Sequence, residues 1–280
     1  MLWMAATGVI FVILNTVMKK LSHELHPWLV GFLRYLMGAI VILPPALRLG
    51  LGALWPNAPR LQLLRGLFHA GGMMLWFAAL PLVTLAELTA ISFSGPIFIC
   101  LGAVLVLHER MTGTRWAALL VGFLGVLLVV KPWQGGAFGG VSPGMLLMLA
   151  SAPVFAGSFL VAKVLTRHER PDVIVLWQHL SVSGLLAPFA LAHWVPPDAV
   201  QWALLFGCGL LGAGGHYCMT RSFAVADISA VQSVKFLELV WAAILGFAVF
   251  GTVPAGWTVA GGIVILASTL WLARREARPA

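Results

Sequence analysis

Apolar residues run through this chain in stretches of about 17–25, interrupted by short polar or proline-bearing breaks, and no other feature restricts its fold as tightly. A stretch of that length crosses roughly 30 Å of hydrocarbon as an α-helix, in which the backbone N–H and C=O groups find partners inside the segment. Hydrophobic residues make up 61% and charged residues 9% of the 280 positions, against roughly 25% charged in soluble domains. A water-soluble fold could not hide that much apolar surface, so a lipid bilayer is the expected solvent. The breaks predict helices near 2–18, 28–47, 61–80, 83–106, 114–131, 143–165, 173–192, 200–220, 228–250 and 255–272. The expected fold class is an all-α membrane protein of ten transmembrane helices.

Seventeen Lys and Arg against nine Asp and Glu give a formal net charge of +8. Nucleic acid is not the implied partner, because a nucleic-acid binder gathers its cations on one face, whereas here they stand between apolar stretches. With the N-terminus inside, the inner loops and tail hold Arg48, Arg60, Arg65, Arg110, Arg115, Lys163, Arg167, Arg170, Arg221, Arg274, Arg275 and Arg278, twelve in all. The outer loops hold Lys19, Lys20 and Lys131, while Arg34 and Lys235 fall within the second and ninth segments. Positive-inside bias then places both termini in the cytoplasm, in a bacterial-type inner membrane. The apolar start at Leu2 reads as the first of many spans rather than a cleaved signal peptide. Cys100, Cys208 and Cys218 lie inside apolar stretches without metal-ligand or CxxC spacing, so neither a disulfide nor a metal site is expected. Without a GxxxxGKS/T, HExxH or GxSxG motif, the chain calls for no cofactor and is not read as an enzyme.

A shift of 144 residues superposes the sequence on itself. It matches Met1 to Met145, Met4 to Met148, Val17 to Val161, Lys19 to Lys163, Pro27 to Pro171, Pro44 to Pro188, Gly71 to Gly215 and Gly102 to Gly246. One offset serving four successive segments marks a duplication, with units at 1–135 and 143–275. Five helices per unit is odd, so the second copy enters the membrane from the opposite side. Inverted repeats suit alternating access, because two oppositely oriented copies can exchange conformations and open a central site to each side in turn.

Particular residues also carry a family resemblance. Leu80 to Pro132 resembles the first-half signature of the EamA family of drug/metabolite transporters, through Pro96, His108-Glu109-Arg110, Gly122 and Gly125. Arg34 fits the same pattern, and Phe250 to Glu276 resembles the closing segment through Pro254, Gly261 and Arg274-Arg275-Glu276. Thr252 stands where the family usually carries an acidic residue. The resemblance implies ten helices, alternating access, export or exchange of small metabolites, and a cavity lined by segments one, three, four, six, eight and nine.

Polar groups inside the bilayer are the candidate site, since a central charge costs on the order of 2.5–3.5 kcal/mol on insertion scales. Lys235 and Glu238, three apart on one helical face, can neutralise each other, grip the ends of a zwitterion or exchange a proton. His69 and His216, the latter beside Tyr217, could couple solute movement to protons or simply join helices by hydrogen bonds. Asn15 and Gln232 stand out because an amide needs several partners. Ser94, with Thr16, Ser92, Ser158 and Ser233, is equally well explained by packing, and Glu87 reaches the interface. Trp76 and Trp241 lie deeper than the interfacial tryptophans and could line a cavity. Arg34 and Gln178, offset by 144, suit a gate or structural support, and the Gly71-Gly72 and Gly214-Gly215 pairs are hinge candidates.

The function expected is secondary transport of a small organic solute, with export of amino acids or similar amphipathic metabolites ahead of uptake or exchange of a larger aromatic, riboflavin-like solute. A membrane enzyme or lipid-handling protein is the rival of another class, and no interfacial catalytic cluster supports it. Expected partners are the solute, the bilayer and coupling protons, with a homodimer left open.

Overall fold

The computed structural model describes residues 1–22, 24–48, 50–79, 82–83, 91, 93–130, 142–250 and 256–276. Glu87, Ser92, Lys131, Thr252, Pro254 and Arg278 lie outside them. Among the described residues there is no strand. Ten helices of 13 residues or more are α1 (Leu2–Leu21), α2 (Pro27–Leu47), α3 (Pro59–Ala79), α4 (Gly95–Leu107), α5 (Gly113–Val130), α6 (Pro143–Leu165), α7 (Pro171–Ala192), α8 (Ala199–Val225), α10 (Leu237–Phe250) and α11 (Gly256–Glu276). A five-residue helix, α9 (Ile228–Gln232), precedes α10.

Local chemistry explains the boundaries. α2, α3, α6 and α7 each begin at a proline, whose missing N–H is not needed in the first turn and whose fixed φ suits it. Ser142 caps α6 by accepting from Met145 N, and Asp198 with Gln201 closes a capping box on α8. α4 stops where His108 adopts the left-handed conformation and Glu109 N reaches back to Ala103 O. Pro96 therefore sits in the first turn of α4 and not in mid-helix.

Four helices are both long and apolar enough to cross a membrane unaided, within Pro27–Pro44, Pro143–Leu165, Pro171–Ala192 and Gly256–Glu276. Shorter apolar runs occupy Leu2–Met18, Gly95–Leu107 and Gly113–Val129. Two helices escape this description because they carry the polar interior. α3 buries Gln62, Arg65 and His69, and α8 buries His216, Thr220 and Ser222. The ninth segment departs from expectation too. It is broken by a 3-10 turn at Ser233–Phe236 between α9 and α10, a turn with poorer hydrogen-bond geometry than the α-helix.

The helices pack as α1 on α8, α3 on α6, α2 on α8, α3 on α7, α4 on α6, α1 on α10, α2 on α7 and α5 on α11. Exchanging each helix for its 144-residue counterpart turns these pairs into one another, but α7 also packs on α8 and α10 on α11 without α2–α3 or α4–α5 packing of like extent among the described residues. Phe11 fills the space above Gly215, and Phe155, 144 residues on, fills the space above Gly72. Gly72 and Gly215 are thus sites of close ring contact, whereas nothing lies within 4 Å of a side chain added at Gly214 and only Val154 comes near one at Gly71. α5 and α11 approach closely at Gly125 and Gly261, where a Cβ on Gly261 would meet Gly125 O at 2.6 Å. The largest core cluster joins Met4, Ala103, Phe159, Phe223, Ile228 and Phe236 near the end of the molecule that carries Met1 and Glu276.

Candidate functional site

A polar core lies where α2, α3, α7 and α8 meet. α2 contributes Arg34 and Tyr35, α3 Arg65 and His69, α7 Gln178 and His179, and α8 His216, all buried. Arg65 was expected in a cytoplasmic loop; it lies inside α3 with no exposed surface. Its guanidinium donates to Ile174 O at 2.9 Å and to Gln178 Oε1, which recovers part of the solvation lost on burial.

The hydrogen bonds fix the histidine tautomers. Ser158 Oγ donates to Arg65 O at 3.3 Å, so it accepts from His69 Nδ1, 3.3 Å away. His69 Nε2 is then free to accept from Tyr35 Oη at 2.6 Å. His179 Nδ1 donates to Val175 O at 2.8 Å, because a carbonyl only accepts. His216 Nε2 accepts from the Arg34 guanidinium at 3.5 Å, leaving its proton on Nδ1. Three neutral imidazoles thus sit around Tyr35, whose ring lies 5.2 Å from His179 and 6.3 Å from His216. Arg34 lies over the Tyr35 ring at 4.4 Å, a cation–π contact that partly compensates a buried charge.

A second polar group surrounds the broken ninth segment. Gln232 and Ser233 are buried, and Gln232 Oε1, Ser233 Oγ, Glu238 Oε1 and Trp241 Nε1 have no hydrogen-bond partner among the described residues. Gly8 of α1 lets Glu238 and Trp241 approach, since a Cβ there would meet Glu238 Cγ at 3.2 Å. Lys235 and Glu238, for which mutual neutralisation was one of the alternatives, form no ion pair, because the 3-10 turn separates Lys235 from the helical register of Glu238. Lys235 Nζ instead lies 5.3 Å from the centre of the Phe159 ring. Phe159 also stands edge-on to His69 at 6.2 Å, so one aromatic ring of α6 joins the two polar groups.

Polar contacts also tie the halves together at the end bearing Met1 and Glu276. Glu109 accepts from Ile228 N, Ser229 N and Ser229 Oγ at 2.7–3.1 Å. This carboxylate caps α9, where backbone N–H groups lack helical partners. Arg115 bridges Asp227 at 3.0 Å and both oxygens of Glu276 at 2.9 and 3.1 Å. Within the second half, Lys163 Nζ donates to Phe223 O and Ala226 O at 2.6 Å, at the C-terminal end of α8 where cations are favoured.

The profile of the EamA-like transporter family matches residues 1–131 and again 142–274. The chain belongs to this family. Among similar proteins, a riboflavin transporter of Rhizobium johnstonii is 34% identical over 99% of this chain and 91% of its own length. An S-adenosylmethionine uptake transporter of Rickettsia prowazekii is 30% identical over 94% and 88%, and the pseudopaline exporter CntI of Pseudomonas aeruginosa 27% over 95% and 93%. A solved crystal structure superposes with a TM-score of 0.82 over 98% of both chains at 20% identity, a likeness of fold. This EamA chain is an integral protein of a bacterial membrane, a transporter of small molecules and not an enzyme.

Of the residues singled out from the sequence of this EamA transporter, His69, His216, Arg34 and Gln178 meet in the polar core, and Gln232, Lys235, Glu238 and Trp241 gather at the break. Ser94 Oγ is occupied by Ile91 O at 2.6 Å. Asn15 is exposed on α1, Trp76 stacks edge-on against Phe77 at 5.2 Å, and Tyr217 packs against the cluster of Ala39, Ile42, Val175 and Leu176. Tyr35, Arg65 and Phe159 were missed. A signal for Tyr35 existed: it is one of two tyrosines, and the 144-residue shift sets it on His179.

Proposed function

We propose that this transporter takes up a small aromatic solute of the riboflavin class by alternating access between two inverted five-helix repeats, residues 1–135 and 143–275. The solute lies between the broken ninth segment and the polar core. The observation that carries this reading is the break at Ser233–Phe236, beside which Gln232, Ser233, Glu238 and Trp241 hold polar atoms without partners. Broken helices at mid-membrane expose backbone and side-chain groups to transported solutes. Trp241 and Phe159 supply flat walls for an aromatic ring, and a riboflavin transporter is among the relatives aligned end to end.

The Tyr35–His179 contact, between positions 144 residues apart, and the packing of α1 on α8 and of α3 on α6 support the repeat. With Arg65 inside α3, eleven of the twelve cations assigned to the inner side remain there against three outside, which supports cytoplasmic termini in an inner membrane. The Glu109, Arg115 and Lys163 contacts then hold the cytoplasmic side shut. The 144-residue counterparts of Arg115, Asp227 and Ser229 are Val259, Val83 and Leu85, so an equivalent polar latch cannot form at the other side.

A second reading is export of amino acids or their derivatives. Lys235 and Glu238, unpaired and one turn apart, match the carboxylate and ammonium of a zwitterion, and a pseudopaline exporter is among the relatives. Proteoliposomes containing the purified chain, offered labelled riboflavin, amino acids and S-adenosylmethionine, separate the readings. Riboflavin entry that excess unlabelled riboflavin suppresses supports the first; movement of amino acids alone supports the second.

A further inference from the structure

The core of α2, α3, α7 and α8 has more hydrogen-bond donors than acceptors, and its cations have no counter-ion among the described residues. The sequence holds nine carboxylate side chains. Glu87 lies outside the described residues. Glu24 and Asp198 engage Gln201, Glu169 engages Asn57 and Ala58, and Asp172 pairs with Arg170. Glu109, Asp227 and Glu276 are taken up by α9 and Arg115. Glu238 stands at the broken segment. None of these eight pairs with Arg34 or Arg65.

Arg65 donates to two oxygens, but Arg34 does not. Among the described residues its one hydrogen bond is the long one to His216, and its Nε, like that of Arg65, has no partner. Gly212 leaves that Nε room on α8, where a Cβ would come within 3.2 Å of it. His216 Nδ1, which carries the proton, and Gln178 Nε2 are likewise without acceptors. The acceptors left over on these helices are His179 Nε2, Gln62 Oε1 and the Thr220 hydroxyl, fewer than the unpaired donors, which also include Gln62 Nε2. A buried guanidinium with a single weak hydrogen bond is costly, and donors left unsatisfied in a native core call for an explanation.

We infer that the transported solute supplies the missing acceptor, presenting a carboxylate, a phosphate or a carbonyl-dense aromatic edge to Arg34 and the Nδ1–H of His216. Two fixed guanidinium groups in a medium of low dielectric repel a net cation, so the same core selects against cationic solutes of similar size. This rests on the transport reading and narrows its substrate by charge. Riboflavin meets the requirement through its pyrimidine-dione edge, and a phosphorylated flavin meets it twice.

Equilibrium dialysis of the purified full-length chain against riboflavin, flavin mononucleotide, a naphthalene carboxylate and the tricyclic cation proflavine tests the inference. The flavins and the carboxylate bind saturably, with proflavine at least tenfold weaker. Arg34→Gln lowers flavin and carboxylate affinity by roughly tenfold or more, as expected for a lost hydrogen bond to a charged group, and strengthens proflavine binding by removing one of the two repelling charges. Arg34→Lys restores part of the loss, which separates recognition from misfolding. Proflavine binding as tightly as the flavins, flavin affinity within twofold of wild type in Arg34→Gln, or binding of no acceptor-bearing probe overturns the inference. If riboflavin does not enter proteoliposomes yet Arg34-dependent binding of the carboxylate persists, the riboflavin reading fails and the charge selection stands.

Discussion

Tyr35 and His179 stand 144 residues apart in sequence and face each other with ring centres 5.2 Å apart. In the inverted-repeat arrangement proposed above, counterparts meet only near the axis relating the halves, and this pair would put that axis in the polar core. The Tyr35 hydroxyl donates to His69 Nε2 at 2.6 Å, so one side chain of α2 touches α3 and α7 together.

Tyr35→Phe removes that donor and leaves His69 Nε2 buried without a partner. Leaving one buried polar group unsatisfied costs about 1–3 kcal/mol. The melting temperature of the purified variant should fall, and the combination with His69→Phe should lose less than the sum of the two single changes.

At the end that carries Met1 and Glu276, Arg115 ties α5 to Asp227 and Glu276 in partly exposed ion pairs. Such pairs are worth about 0.2–1 kcal/mol each, enough to bias an equilibrium between states several-fold without controlling folding. Arg115→Gln should speed maleimide labelling of a cysteine placed at Ser229 by a few-fold while leaving the melting temperature nearly unchanged. Unaltered labelling would mean that the apolar cluster around Phe236, and not the ion pairs, holds this side shut.

Close approach of α5 and α11 depends on glycine. Gly261→Ala sets a methyl group against Gly125 O and Val129 Cγ2, both 2.6 Å from the new carbon, and such overpacking costs about 1–3 kcal/mol. Gly214→Ala, with nothing within 4 Å, should be neutral or slightly stabilising, since alanine is the better helix former. Thermal melts of the two variants check the contrast.

At the opposite end of the molecule, His26, between α1 and α2, stacks on His193 with ring centres 4.0 Å apart. Burial first, and the positive charge of His193 second, lower the His26 pKa below its ordinary value of 6.5. The folded chain therefore takes up this proton less readily than the unfolded one. The contact contributes its full stability above pH 6.5 and loses it as the pH falls toward the lowered value. Melting temperatures should drop from pH 7.5 to pH 5, and His26→Gln should flatten that dependence.

The helices were legible because lipid requires long apolar segments, and proline and glycine mark their ends. The break in the ninth segment was not, since the run 228–250 is apolar apart from Ser229, Gln232, Ser233, Lys235 and Glu238, residues that an unbroken helix also tolerates. Arg65 was misread as a loop cation because it stands six residues into α3, within reach of a predicted boundary. What places it inside is Gln178 on another helix, a long-range partner that no local pattern reveals. His69 and Glu238 were legible by their cost in hydrocarbon, but Phe159, which joins their clusters, looks like any other apolar residue.

The central claim is that the solute sits at the broken ninth segment, and riboflavin uptake into proteoliposomes by wild type, Gln232→Ala, Glu238→Gln and Trp241→Leu tests it most directly. The account predicts saturable uptake by wild type, with a tenfold or greater loss of efficiency in at least two variants that still reconstitute at normal levels. Wild-type uptake with all three variants within twofold of it would contradict the account.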